Sequence, residues 1–443
     1  MNLKEATKKL TELIRRLERE QRSAGHTRAV GTVKTYPVNS DLVSFWTQDL
    51  GGLMLTDDDA KEYRQCVGAI HAQASGKTEH ISRSAIESFI QGAILRALDP
   101  LATDTEKDFE KRLDSALGHL TEELKAEPSI WETHLPVQGL ATDKLPSTFG
   151  RCEFYFGDEP FLNELMERIG RVVLPDVGEG AAQVGKRFIR ERIQKLVRGQ
   201  TWVFTLANAV DGRAARLIAR KRVRQTVDIL NFYANLGGRP PCQVLLAEDP
   251  RPGILNTFLF SENPPAFEPP SERVGPIVAF SFASPDLEQA GLERMSEMLK
   301  KQPPSEFEDR VISAFQWAGK ASVEPRKEEA FLLFAISLES LLMERQDKAE
   351  ITETLSLRAA HVIAAPQSRL TVYQDMKKLY GIRSKIVHSG SVDVGDDQLS
   401  EIRYYARLAL LTMLCAPQFS GITNDKELTE WFRARLLDTP QSE

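Results

Sequence analysis

Between residues 328 and 343 the sequence is apolar around much of a helical circumference, through Ala330, Leu333, Ala335, Leu338, Leu341 and Leu342. A helix of that kind is stable only with other helices around it, so this stretch demands a bundle and belongs at its centre. Glu339 interrupts the apolar surface. The neighbouring sequence supplies the surrounding helices. KQPPSE at 301–306 ends whatever precedes it, because prolines cannot continue a helix and they stiffen a connector. Beyond it, periodicity predicts helices at 307–320, 328–343, 352–364, 370–388 and 398–415, then a shorter one at 426–437.

Upstream the pattern is mixed. Leu3, Ala6, Leu10, Leu13 and Leu17 recur at three- and four-residue steps, which gives an amphipathic helix with a narrow seam. That seam either packs on the helix's own domain or meets a second copy. RCEFYFG and TWVFTLA read as strands among helices at 81–98 and 106–124. A helix at 213–233 follows, then LGGRPP and two further strand-like runs, CQVLLAED and NTFLFSEN. A chain of 443 residues exceeds one ordinary core. The expected organisation is an N-terminal amphipathic helix at 1–29 and an α+β sensor or regulatory region at 30–300, with a break near 212. An all-α bundle at 305–437 completes it.

Composition excludes several classes. With 42% hydrophobic and 27% charged residues and no low-complexity tract, the chain is built to fold. A net charge of −6 argues against a protein that coats nucleic acid, so any nucleic-acid site must be local. Cys66, Cys152, Cys242 and Cys415 form no metal or disulfide pattern and fit a reducing cytoplasm. The histidines at 26, 71, 80, 119, 134 and 361 form no ligand cluster, and Asp57–Asp59 read as charges at a helix start. No metal or cofactor is expected. Neither is an export signal, since MNLKEATKKLTELIRRLEREQ lacks an apolar core, nor a membrane span, since no run of 18 apolar residues occurs.

YGIRSKIVHSG at 380–390 ends the fourth bundle helix, with Gly390 at the C-cap and His388 in the last turn. The helix dipole there favours an imidazolium, an upward push suited to proton transfer near neutrality. Arg383 precedes His388 by five residues, so the two side chains leave a straight helix about 140° apart. One helix cannot easily aim both at one atom. Two copies about a two-fold axis can, with the arginine of each approaching the histidine of the other.

Arg-x4-His, with polar Ser384 directly after the arginine, resembles the Rx4–6H signature of HEPN ribonucleases (higher eukaryotes and prokaryotes nucleotide-binding). The fuller pattern, ISLESLL at 336–342, LSLRAAHVIA at 355–364 and then LYGIRSKIVHSG, is similar to the Apea-like branch over about 305–437. The resemblance implies a HEPN-like bundle that dimerises, or forms a higher even-numbered oligomer, and cuts RNA without metal. Attack of a ribose 2′-OH on the adjacent phosphate would leave a 2′,3′-cyclic phosphate. His388 would move the proton, Arg383 would clamp phosphate oxygens, and Ser384 would bind phosphate or orient His388. Glu339 is a candidate support for Arg383, with Arg358 an equal candidate as its ionic partner. Apea-like relatives imply a role in phage defence, with a phage-derived or nucleotide trigger read by the N-terminal region. The competing reading is that Arg383 and His388 only cap and pair at a helix end. The bundle would then serve dimerisation in a binding protein that senses a partner or nucleotide.

Two other features bear on function. GAAQVGKR at 180–187, after the strand-like GRVVLP, has the glycine and lysine spacing of a phosphate loop, but Arg187 replaces the hydroxyl residue that would hold Mg²⁺. Lys186, Arg187, Arg190, Arg220, Lys221, Arg222 and Lys385 are candidate contacts for an RNA backbone. Charge runs on amphipathic helices more often make solvated faces or pair with acids.

Overall fold

The computed structural model describes residues 3–23, 42–47, 51–73, 80–98, 106–125, 127–142, 147–173, 187, 190–191, 193–194, 201–236, 244–246, 254–255, 259–262, 265–268, 271–272, 278–280, 282, 284–343, 351–363, 368–389 and 393–437. The architecture is mostly helical, with a small sheet and a helical C-terminal bundle. Two compact units form: residues 1–133 with 206–219, and residues 134–205 with 220–443. The boundaries of these units fall at 133/134, 205/206 and 219/220. Prolines mark where a helix stops, and the core continues across them.

The first unit contains α1 (Leu3–Ser23), the antiparallel hairpin β1 (Leu42–Thr47) and β2 (Gly51–Thr56), α2 (Asp57–Gln73), α3 (Arg83–Ala97) and α4 (Glu106–Lys125). The α1 seam, Ala6, Leu10, Leu13, Ile14 and Leu17, is buried in one core with Val67, Ile70, Ile90, Ile94 and Leu113. The seam thus packs on its own unit. Ser82 caps α3 by accepting from Ala85 N at 3.0 Å. Asp211 accepts from Ser82 Oγ at 3.0 Å, and from the backbone of Arg213 and Ala214 at 2.9 and 3.0 Å. One carboxylate thereby serves two helix starts. Burial raises its pKa, but these donors outweigh that and hold it below the usual carboxylate range.

The strands β5 (Ser147–Phe149), β6 (Cys152–Phe156), β7 (Thr201–Ala209), β3 (Ser129–Gln138) and β8 (Leu245–Leu246) form a sheet in that order, with β7 up to Thr205 and β3 from His134 counted in the second unit. The short strand β4 (Leu140–Thr142) pairs parallel with Val278–Phe280. Glu153 faces Phe204 and Tyr155 faces Trp202 across the antiparallel β6–β7 pair. Alternation buries Phe154 and Val203 on one sheet face and leaves Glu153, Tyr155, Trp202 and Phe204 on the other. Helix α5 (Glu159–Val173) follows. Its last turn includes Gly170–Val173, so the strand expected before the phosphate-loop motif is helix instead. The apolar face of α5, with Phe161, Leu162 and Met166 buried, overrides the β preference of two valines.

The bundle is built from α6 (Gly212–Ala234), α7 (Pro285–Gln289), α8 (Leu292–Lys300), α9 (Glu306–Val323), α10 (Lys327–Leu342), α11 (Ile351–Val362), α12 (Arg369–Ser389), α13 (Asp396–Cys415) and α14 (Asp425–Leu437). Ser305 and Glu308 start α9 with a reciprocal capping box, Ser305 Oγ accepting from Glu308 N at 3.2 Å and Glu308 Oε2 accepting from Ser305 N at 3.0 Å. Helix α10 packs against α9, α11, α12 and α13, the central place its composition requires. The C-terminal half of α6 belongs to this core: Phe232 meets Phe315 at 4.7 Å between ring centroids, edge to face. At Gly319 a Cβ would stand 1.7 Å from the Asp228 carbonyl oxygen, so only glycine lets these helices approach. That crossing ties residues before the proline break to those after it.

Candidate active site on the bundle

Two polar contacts join α12 to α10. Tyr380 is almost fully buried and donates from its hydroxyl to Ala335 O at 3.0 Å. One turn further along both helices, Arg383 Nε lies 3.0 Å from Glu339 Oε1 and Nη2 donates to Oε2 at 3.3 Å. This is a guanidinium–carboxylate ion pair held by one hydrogen bond, with Glu339 Oε1 buried and without a hydrogen-bond partner, and with 26% of the arginine side chain and 22% of the glutamate side chain exposed. Burial pushes the Glu339 carboxyl above its usual range, and the attraction of Arg383 only partly opposes it. The Tyr380 phenol is pushed well up, first by burial and then by the nearby Glu339 charge.

Arg358, the other candidate partner for Glu339, is elsewhere. Buried on α11, it donates from Nη1 to Leu342 O at 2.7 Å and lies over the Phe432 ring at 5.2 Å. Arg310 works beside it, donating to Ser340 O at 3.1 Å and to Asp425 Oδ1 at 2.7 Å. These two cations answer the terminal carbonyls of α10, where the helix dipole is negative. Arg358 thus supports the helix end and does not reach Glu339.

Ser384, Lys385 and His388 are exposed on α12. Arg383 lies on the bundle side with buried Val372, Met376, Leu379 and Ile386, while His388 lies on the solvent side. The helix continues through both to Ser389, so their directions differ by about 140° and a single chain does not bring them together. Gly390 lies outside the described residues. Along the His388 face, Leu370, Tyr373, Lys377, Gly381, Ser384 and His388 follow one another at three- and four-residue steps. Tyr373 and Lys377 both hold Glu353, at 2.8 and 3.0 Å. A Cβ at Gly381 would meet nothing within 4 Å. By residue type only Ser384 and His388 stand out in this stripe, although the spacing alone reveals it.

His361 is half-buried on α11, and burial, then Arg369 and Arg435, push its imidazole pKa down. The residues expected to track an RNA backbone are not a run of open cations. Arg187 pairs with Glu191 at 3.2 Å and Arg190 with Glu159 at 2.9 Å. Arg222 donates to Thr205 Oγ1 at 3.1 Å, with its pKa lowered by burial. Arg220 is half-buried, and Lys221 is exposed. Lys186 and the rest of the phosphate-loop motif before Arg187 lie outside the described residues.

No protein-family model, no curated protein and no solved structure matches this chain. Among the described residues no helix is long and apolar enough to cross a membrane.

Proposed function

We propose that the chain is a metal-independent endoribonuclease of HEPN type, acting as a dimer through a shared Arg383–His388 cleft. What carries this reading is the placement of one fixed cation and one exposed imidazole at the end of a single bundle helix, pointing to different sides. In a two-fold pair of α12 helices, the arginine of one protomer faces the histidine of the other across the scissile phosphate. His388 accepts the proton of the ribose 2′-OH as O2′ bonds to phosphorus. Arg383 pairs with the non-bridging oxygens as their charge rises. The P–O5′ bond then breaks, the 5′ oxygen takes a proton, and a 2′,3′-cyclic phosphate and a 5′-OH remain. Ser384, exposed between the two, serves as a hydrogen-bond donor to phosphate, and Lys385 lies beside it for the RNA backbone. A defence role against phage, with a trigger read by the N-terminal region, completes the proposal.

The Glu339–Arg383 pair also favours a second reading, a non-catalytic bundle in which Arg383 is structural. Mixing separates the two. Arg383→Ala and His388→Ala each abolish cleavage measured in EDTA with cyclic-phosphate product detection. Combined protomers of the two variants regain about a quarter of wild-type activity, because half of the randomly formed dimers contain one intact cleft of two. Cleavage that survives in both pure variants rejects the site, and a monomer with full activity rejects the shared cleft. A dimer that cuts no RNA selects the structural reading.

A further inference from the structure

We propose that a cavity of about 140 Å³ between the sheet and α5 in the second unit binds a small organic cation, an alkylammonium group. The inference does not rest on the ribonuclease reading. The sheet contributes Glu153, Tyr155 and Phe204, which register pairing places on one face. Helix α5 contributes Phe161, Glu164 and Leu165, three- and four-residue steps along one side. His134 of β3 closes the group, its ring 5.2 Å from Phe204 and 5.9 Å from Phe161. The Tyr155 and Phe161 rings stack at 5.8 Å.

Three physical features select the ligand class. Aromatic side chains come from both walls, Tyr155 and Phe204 from the sheet and Phe161 from α5, and an aromatic lining attracts cations lacking a tight hydration shell. The carboxylate of Glu153 lines the cavity, so a cation is drawn in and an anion such as a nucleotide is disfavoured. Among the described residues no cation pairs with Glu153. The size also fits, since a cavity of roughly 150 Å³ accommodates a ligand as large as benzene. A trimethylammonium or short alkylammonium head has that bulk, whether it comes from a free metabolite or a modified lysine side chain.

The probe is choline, with 3,3-dimethylbutan-1-ol as its uncharged isostere, titrated into the full-length chain by calorimetry. Choline is expected to bind at least about tenfold more tightly than the isostere. Glu153→Gln weakens choline about five- to tenfold and leaves the isostere unchanged. Phe204→Leu keeps the pocket apolar but removes an aromatic face, so choline binding falls while that of the isostere holds. Circular dichroism checks that both variants fold. Equal affinity for the two probes shows an ordinary apolar pocket and overturns the proposal, as does the absence of choline binding to the wild-type protein. A trimethyl-lysine peptide in a further arm distinguishes a protein source from a free small molecule.

Discussion

Two charged clusters near the C-terminus of α10 use charge in opposite ways. At its C-terminus, Arg310 and Arg358 are buried and donate to several acceptors at once, the carbonyls of Ser340 and Leu342 and the carboxylate of Asp425. In its last turns, Glu339 and Arg383 hold each other, remain about a quarter exposed, and leave the carboxyl pKa raised. A charge kept for architecture is saturated by partners. One whose partner is a single ion at the rim keeps its geometry and stays within reach of a ligand. Function is therefore to be sought at the less satisfied pair.

The largest test of that contrast is Arg310→Ala. It strands the α10 carbonyls and Asp425 together, and removing one member of a buried ion pair costs on the order of 3–5 kcal/mol. Urea unfolding should show this loss, whereas Arg383→Ala should cost about 1–2 kcal/mol, since it removes one charge-assisted hydrogen bond and leaves a carboxyl that keeps some contact with water. Comparable losses in the two variants would break the distinction between structural and available arginines.

How far the sequence revealed these roles depends on what each one needs. Every bundle helix from α9 onward lies within a few residues of its predicted span, because helical periodicity and end signals such as Ser305 and Glu308 are local. The candidate pair Arg383 and His388 and the support from Glu339 are visible as residue types. Which cation takes Glu339 is not, because Arg358 is directed by the carbonyls at the end of α10 and Arg383 by the α10–α12 contact. The extent of the second unit is equally hidden. It depends on Gly319 meeting the Asp228 carbonyl, a contact between segments distant in sequence. The stripe from Leu370 to His388 was legible in spacing, but its exposure was not.

Asp228 sharpens the comparison as a control. Burial pushes its carboxyl up to about 6, while Gln316 and Lys320 pull it down only in part. Gln316 Nε2 donates to its Oδ2 at 2.9 Å and Lys320 Nζ lies 3.7 Å away. Because the folded pKa exceeds the unfolded one, the group's stabilising contribution is complete below about pH 4 and is lost as pH rises through about 6. Near pH 7.5 that loss is on the order of 2–3 kcal/mol. Asp228→Asn keeps an acceptor for Gln316, so it should raise stability by about 2 kcal/mol at that pH and flatten the pH dependence. Thermal melts at pH 4.5 and 7.5 measure both. Cleavage should be unchanged, since Asp228 sits at a closed helix crossing; an activity loss would mean that a raised carboxyl alone, without exposure, signals the site.

Glu339→Gln gives the smallest change in stability and the finest discrimination. Its folded pKa is also raised, so its contribution is present in acid and fades as pH rises through the folded value. The neutral amide removes that dependence while still accepting from Arg383. The net change should stay below about 1 kcal/mol, because the amide keeps the shape and the accepting oxygen of the carboxylate while shedding its buried charge. If Glu339 positions Arg383 for phosphate, cleavage nevertheless falls about tenfold, through kcat more than KM, because an unanchored guanidinium meets the rising charge less often. A loss of 3 kcal/mol or more with cleavage intact would place Glu339 and Arg383 with Arg310 as architecture, and the two parts of α10 would no longer differ in kind.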